Sequence, residues 1–167
     1  MSKFANGVVG GSCAAVLDNE YPEALLTLIR HARRRCLCSV FIVDVVGEYR
    51  IFGSLLDALE ERVWLGVDVR IVIGGSRENY AIAERSASAR AIFADRGIPC
   101  RWLAAGPERR GSHAKLVVAD DHVLVGSHNW SPGAFAGQVQ DSIRVASPSL
   151  AAYLAGFVNE QWLRAKE

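Results

Sequence analysis

"SHAKLVVADDHVLVGSHNW", residues 112–130, carries two short apolar runs separated by Asp120-Asp121-His122. Apolar runs flanking a polar, Asp-rich turn predict a pair of antiparallel strands. Side chains alternate along a strand, so His113 and Lys115 share a face, and so do Ser127 and Asn129. With Ala119 paired to Val123 across a three-residue loop, Lys115 falls opposite Ser127 and His113 opposite Asn129. All four groups then converge on one patch; a slip of one residue would send half of them to the other face.

Such a patch holds an imidazole, an ammonium, a hydroxyl and an amide, a set suited to a tetrahedral anion with transferable charge, a phosphate ester. An unperturbed histidine, with a pKa of about 6.5, is largely neutral and therefore nucleophilic at pH 7. No run of carboxylates accompanies these residues, which argues against a two-metal site. The expectation is a reaction without metal or other cofactor.

Outward from the hairpin, the chain alternates between strand and helix patterns. An N-terminal strand is expected near Cys13–Leu17, then a helix from Pro22 to about Arg34 with Leu25, Leu28, Ile29 and Ala32 at helical spacing. CSVFIVDVV (38–46) reads as a strand buried on both faces. Ser54 and Asp57 resemble a capping box ahead of a stripe at Leu55, Leu59 and Val63, with Gly66 as the stop. VDVRIVI (67–73) predicts a strand, Asn79 to Asp95 a helix, and IPCRWL (98–103) another strand. DSIRVAS (141–147) follows the hairpin as one more strand. Ser147-Pro148 then opens a last helix facing inward through Leu150, Leu154, Phe157 and Val158. The fold class is α/β, a mixed sheet flanked by helices on both faces, in a single domain over 1–167.

The chain has 167 residues, suited to one sizeable core, and is 50% hydrophobic and 22% charged. Its net charge of +1 means that any electropositive surface must be local. No apolar run reaches the roughly 18 residues that span a bilayer, and the first residues make a poor signal peptide, so a cytoplasmic protein without stable membrane association is expected. The four cysteines read as buried free thiols, and Trp64, Trp102 and Trp162 as packing residues. Arg33, Arg34 and Arg35 close the first helix, while His31 and His122 read as surface and turn residues.

The pattern His113-Ala-Lys115, four residues, Asp120, then Gly126-Ser127-His128-Asn129 resembles the H-x-K-(x)4-D…G-S-x-N signature of the phospholipase D superfamily. An isolated H-x-K would carry nothing, but the combination is specific. One departure stands out: the stretch between Asp120 and Gly126, DHVLV, is one residue shorter than usual. The resemblance implies that His113 attacks phosphorus to give a phosphohistidine, and that Lys115 and Asn129 hold the non-bridging oxygens with support from Ser127. Asp120 would be structural near the site. Asp141, offset by one residue from the family's position, would hydrogen-bond the histidine. Arg109 and Arg110, in the loop leading to His113, are expected to contact substrate.

The family mechanism uses two histidines, and this chain has one His-x-Lys. The resemblance therefore implies a homodimer in which each chain contributes His113, Lys115, Ser127 and Asn129 to one shared active site. The expected function is a metal-independent endonuclease acting on DNA or RNA. A lipid phosphodiesterase of cardiolipin-hydrolase type and a non-catalytic nucleic-acid-binding module are the alternatives.

Overall fold

The computed structural model describes residues 10–44, 50–76, 78–106 and 110–166. In chain order these form β1 (Ser12–Leu17), a 3-10 turn (Asp18–Glu20), α1 (Tyr21–His31), β2 (Arg35–Val40), α2 (Arg50–Trp64), β3 (Asp68–Ile73) and α3 (Tyr80–Asp95). There follow β4 (Cys100–Trp102), β5 (Lys115–Ala119), β6 (His122–Gly126), α4 (Pro132–Ala136), β7 (Asp141–Ala146) and α5 (Pro148–Arg164).

The strands make one seven-stranded sheet in the order β1-β7-β6-β5-β2-β3-β4. β2, β3 and β4 run parallel, and the remaining neighbours pair antiparallel. The sheet is mixed, as the sequence predicts, because β2 and β3 are joined through a helix that lets them run parallel, whereas β5 turns directly into antiparallel β6.

Strand alternation divides the core in two. Cys36, Cys38, Val40, Ile71 and Ile73 point to one face, where Leu25, Ile29, Phe52, Leu59 and Phe93 of α1, α2 and α3 cover them. Leu37, Val72, Leu116, Val118 and Val123 point to the other, under Ala151, Ala155 and Val158 of α5. The small alanines let α5 lie close on the sheet. Its start is as predicted: Ser147 Oγ accepts the Leu150 N–H and Pro148 occupies the first turn.

Several boundaries differ from the pattern. α2 begins at Arg50, so Ser54 and Asp57 lie inside the helix and cap nothing; Asp57 instead pairs with Arg96 at 2.7 Å. β2 runs from Arg35 to Val40 rather than over 38–46, and residues 45 and 46 lie outside the described residues. Arg33 to Arg35 do not close α1, which ends at His31; the Asp120 carboxylate accepts their three backbone N–H groups and leads them into β2. Trp64 is 83% exposed and Phe157 45% exposed, although both were expected to pack inward. Cys36 and Cys38 are buried side by side, Cys100 is partly buried, but Cys13 is exposed on β1.

The hairpin register also differs. Ala119 pairs with His122, not Val123, so the turn holds two residues, Asp120 and Asp121. Asp120 sits at φ +50°, the left-handed region that aspartate tolerates better than most side chains. Leu116 lies opposite Val125, one residue off the expected register, and Lys115 pairs on its other side with Val40 of β2.

Candidate active site

The site forms at the carboxyl ends of the parallel strands β2 and β3, where loops can converge without interrupting the ladders. The loop carrying His113 is held there from below. Ser112 N donates to Leu103 O, and the Ser112 hydroxyl lies 2.8 Å from that of Ser39, which in turn donates to Gln161 Oε1 at 2.7 Å. These three polar side chains are buried, so each bond replaces one otherwise lost to burial. Gly74 lets the loop approach: a Cβ there would overlap the Ser112 carbonyl oxygen and lie 3.0 Å from Phe41 Cα.

His113 emerges exposed at this edge, with its ring centroid 4.1 Å from that of Phe41. Lys115 Nζ donates to His113 O at 3.0 Å and lies 3.3 Å from His113 Nδ1. The ammonium has only protons to give, so Nδ1 accepts and neutral His113 carries its proton on Nε2. Burial, and then the Lys115 charge, lower the His113 pKa from its ordinary 6.5; burial also lowers that of Lys115. The imidazole is therefore kept neutral beside a cation, a state that favours nucleophilic attack.

Asn129 reaches the same edge along a different path. After Gly126 the chain leaves β6 and crosses the end of β2, where Trp130 N donates to Ile42 O and Asp44 N to Trp130 O. Asn129 Oδ1 accepts the Ile42 N–H at 3.1 Å, which turns its Nδ2 donors outward. They have no protein partner among the described residues. Fully buried His128 pins this crossing: it stacks on Tyr21 with centroids 4.2 Å apart, its Nε2 donates to Asp18 O, and its Nδ1 accepts from Ser142 Oγ. Its neighbour Trp130 is also fully buried.

Not every predicted residue joins the cluster. Ser127 Oγ accepts the Asp141 N–H at 3.0 Å and lies within bonding reach of Gln140 Oε1 and Asp141 O, tying β6 to β7. Asp141 is exposed on β7, beyond β6, and makes no contact with His113 among the described residues. Asp120 sits at the opposite end of β5, in the turn. Burial alone would raise its pKa; the three N–H groups and Arg34 outweigh this and lower it. Arg110 is exposed and borders a cleft of about 300 Å³ beside His113, together with Phe157 and Arg164. Arg109 lies outside the described residues.

A wider hollow, about 460 Å³, opens around the Asp120-Asp121 turn near His31 and His122. It lacks the His–Lys–Asn set. No group of three or more His, Cys, Asp and Glu among the described residues is arranged to hold a metal ion. Phe41, Ser112 and Gln161 were not singled out for the site by the sequence.

Residues 25–162 match the family model described as "Cardiolipin synthase, PLD-like domain". No curated protein matches the chain. Among solved structures it is similar to Nuc from Salmonella typhimurium, a phospholipase D family member, at 22% identity and a TM-score of 0.76, covering 94% of this chain and 97% of that one. NucT from Helicobacter pylori is similar at 14% identity and a TM-score of 0.68, over 94% of this chain and 99% of NucT. Phosphatidylserine synthase from Haemophilus influenzae Rd KW20 is similar at 16% identity and a TM-score of 0.67, over 91% of this chain but 38% of the synthase. At these identities the likeness is one of fold.

Proposed function

Because this chain belongs to the phospholipase D superfamily, we propose that it is a metal-independent endonuclease that cleaves DNA or RNA at a site shared by two identical subunits. The superfamily acts on phosphodiester bonds, and one observation carries the reading here. His113, Lys115 and the outward Nδ2 of Asn129 gather around Phe41 and Ile42 at one sheet edge.

A phosphodiester entering this edge offers its non-bridging oxygens to Lys115 and Asn129. Once the ammonium turns to the phosphate, His113 Nδ1 is free to take the ring proton, and Nε2 gains a lone pair for attack. The N–P bond forms as the P–O bond to the leaving group breaks, and the leaving oxygen takes a proton from the second subunit's imidazolium. Water then attacks the phosphohistidine, giving its proton to that second imidazole and releasing His113. The two non-bridging oxygens stay bound to fixed donors throughout, so charge is stabilised without reorganisation.

Two observations support the shared site. The chain holds one His-x-Lys. Leu17, Val125 and Ile143, with Tyr153 and Phe157 of α5, are large apolar residues between 38% and 50% exposed, and Phe157 borders the His113 cleft. Apolar surface of this kind beside an incomplete site suits a twofold partner. Nucleic acid is favoured by Arg110 and Arg164 at the cleft and by the likeness to Nuc and NucT along nearly their whole length. No helix among the described residues is long and apolar enough to cross a membrane. Chemistry on a lipid phosphodiester is the second reading, favoured by the cardiolipin synthase domain match and the phosphatidylserine synthase likeness.

The test is nicking of supercoiled plasmid and cleavage of single-stranded oligonucleotides in excess EDTA, with wild type beside His113→Ala. Cleavage that survives EDTA and vanishes in the variant is expected. Wild-type turnover by His113→Ala overturns the mechanism. Failure on nucleic acid, with release of headgroup from phospholipid vesicles, transfers the same mechanism to lipid; binding without cleavage of either leaves a non-catalytic module.

A further inference from the structure

We infer that Phe41 is a positioning residue, an aromatic plate that sets His113 and Lys115 in attacking geometry and is itself seated on Gly74. The inference rests on His113 and Lys115 carrying the reaction. Phe41 is the first residue beyond β2 and is only half-buried, so its ring is not needed to fill the core. Its position is nonetheless fixed, since a Cβ on Gly74 would lie 3.0 Å from both Phe41 Cα and Cδ2.

Both reactive side chains lean on the ring. The His113 imidazole meets it at 4.1 Å between centroids and 44°, a tilted aromatic pair. The Lys115 ammonium lies 4.9 Å from the same centroid, within cation–π range. His113 precedes β5, and Lys115 is its first residue, so the ladder does little to restrain either side chain. The exposed imidazole and the long lysine stem each have several rotamers, and one ring contact narrows both. A misplacement of about 1 Å at reacting atoms can cost roughly 100-fold in rate, so a plate of this kind has catalytic leverage without touching phosphorus.

The ring also withdraws one side of His113 from water. Among the described residues, the charged groups beside that imidazole are Lys115, Arg110 and Arg164, all cationic, and the hydroxyl and amide of Ser112 and Gln161 line the same cleft. Removing the ring readmits water and stabilises the imidazolium, so the acid limb of activity should move to higher pH. A residue that merely packed would not move it.

The test is steady-state hydrolysis of bis(p-nitrophenyl) phosphate, a generic phosphodiester, between pH 5 and 8. Phe41→Leu is expected to lower kcat about 10- to 100-fold, to leave KM within about threefold, and to shift the acid limb upward. Phe41→Trp should restore most of kcat, because it returns a ring face. Phe41→Met, similar in volume without a ring, serves if leucine impairs folding, and Gly74→Ala should reproduce the loss by displacing Phe41 and Ser112 together. An inactive His113→Ala alongside Phe41→Leu or Phe41→Met with wild-type kcat and an unmoved acid limb overturns the positioning role. Turnover by His113→Ala instead overturns the histidine mechanism on which the role depends.

Discussion

Asp120 and His113 lie in one motif and do different work. On the proposed mechanism one His113 attacks as neutral imidazole while that of the second subunit protonates the leaving oxygen, and burial and then Lys115 lower the pKa of this group. Imidazolium is therefore scarce at pH 7, and kcat/KM should rise as pH falls from 7, pass through a maximum below about 6.5 and then fall as the attacking imidazole is protonated too. A pH–rate profile checks this; an acid limb at or above pH 7 would contradict it. Asp120 accepts the N–H groups of Arg33, Arg34 and Arg35 at the far end of β5. Asp120→Ala should cost about 1–3 kcal/mol of stability, seen as a lower Tm, while kcat/KM per folded molecule stays within about threefold. Its lowered pKa makes this contribution complete above its ordinary 3.8 and lost as pH falls through the lower folded value. The motif marked both residues, but only the neighbours of each separate reaction from support. His128 makes the same point: in sequence it is the variable position of the motif, and in the fold it is the buried pin of the Asn129 crossing.

At the scale of the element, the hairpin is held by its ladders and free at its turn. β5 is held against β2 over five pairs and β6 against β7 over five more, so neither strand can slide. Asp120 and Asp121 form a two-residue turn, where the chain is less constrained than in either ladder. Inserting glycine between Asp120 and Asp121 should therefore lower Tm by a few degrees and leave kcat/KM within about threefold. An extra alanine after Val117, inside the β5 ladder, should abolish activity, because every side chain on one side of it changes face. Comparing the two insertions by melting and turnover tests where register is stored. The strands and helices themselves were readable from periodicity. Their ends were not: Ser54 with Asp57 imitates a cap inside α2, and nothing local announces that Asp120 draws Arg33 to Arg35 out of the preceding helix.

For the whole molecule the open face matters most. α5 covers only part of one side of the sheet, leaving Leu17, Val125 and Ile143 exposed on the same side as Tyr153 and Phe157. Ile143 bonds to no part of the reactive cluster, so it isolates assembly from chemistry. Ile143→Asp should shift the protein from a dimeric to a monomeric mass by light scattering and lose nearly all turnover, with little change in Tm of the monomer fold. A monomeric wild type at working concentration, fully active, would remove the shared site.

The alternation of apolar runs was enough to specify a mixed α/β sheet with helices on both faces, because burying a strand on two faces demands it. The spacing of His113, Lys115, Asp120, Ser127 and Asn129, through its resemblance to a family signature, was enough to point to the phospholipase D superfamily, whose model the chain matches. What surrounds the set depended on contacts between residues far apart in the chain. Phe41 under His113, Ile42 holding Asn129, Gly74 admitting Ser112, and Gln161 reaching Ser39 all join different elements. Local pattern records which face a side chain takes; only the packed sheet decides which other side chain it meets there, because register and crossing paths are set by the whole ladder at once.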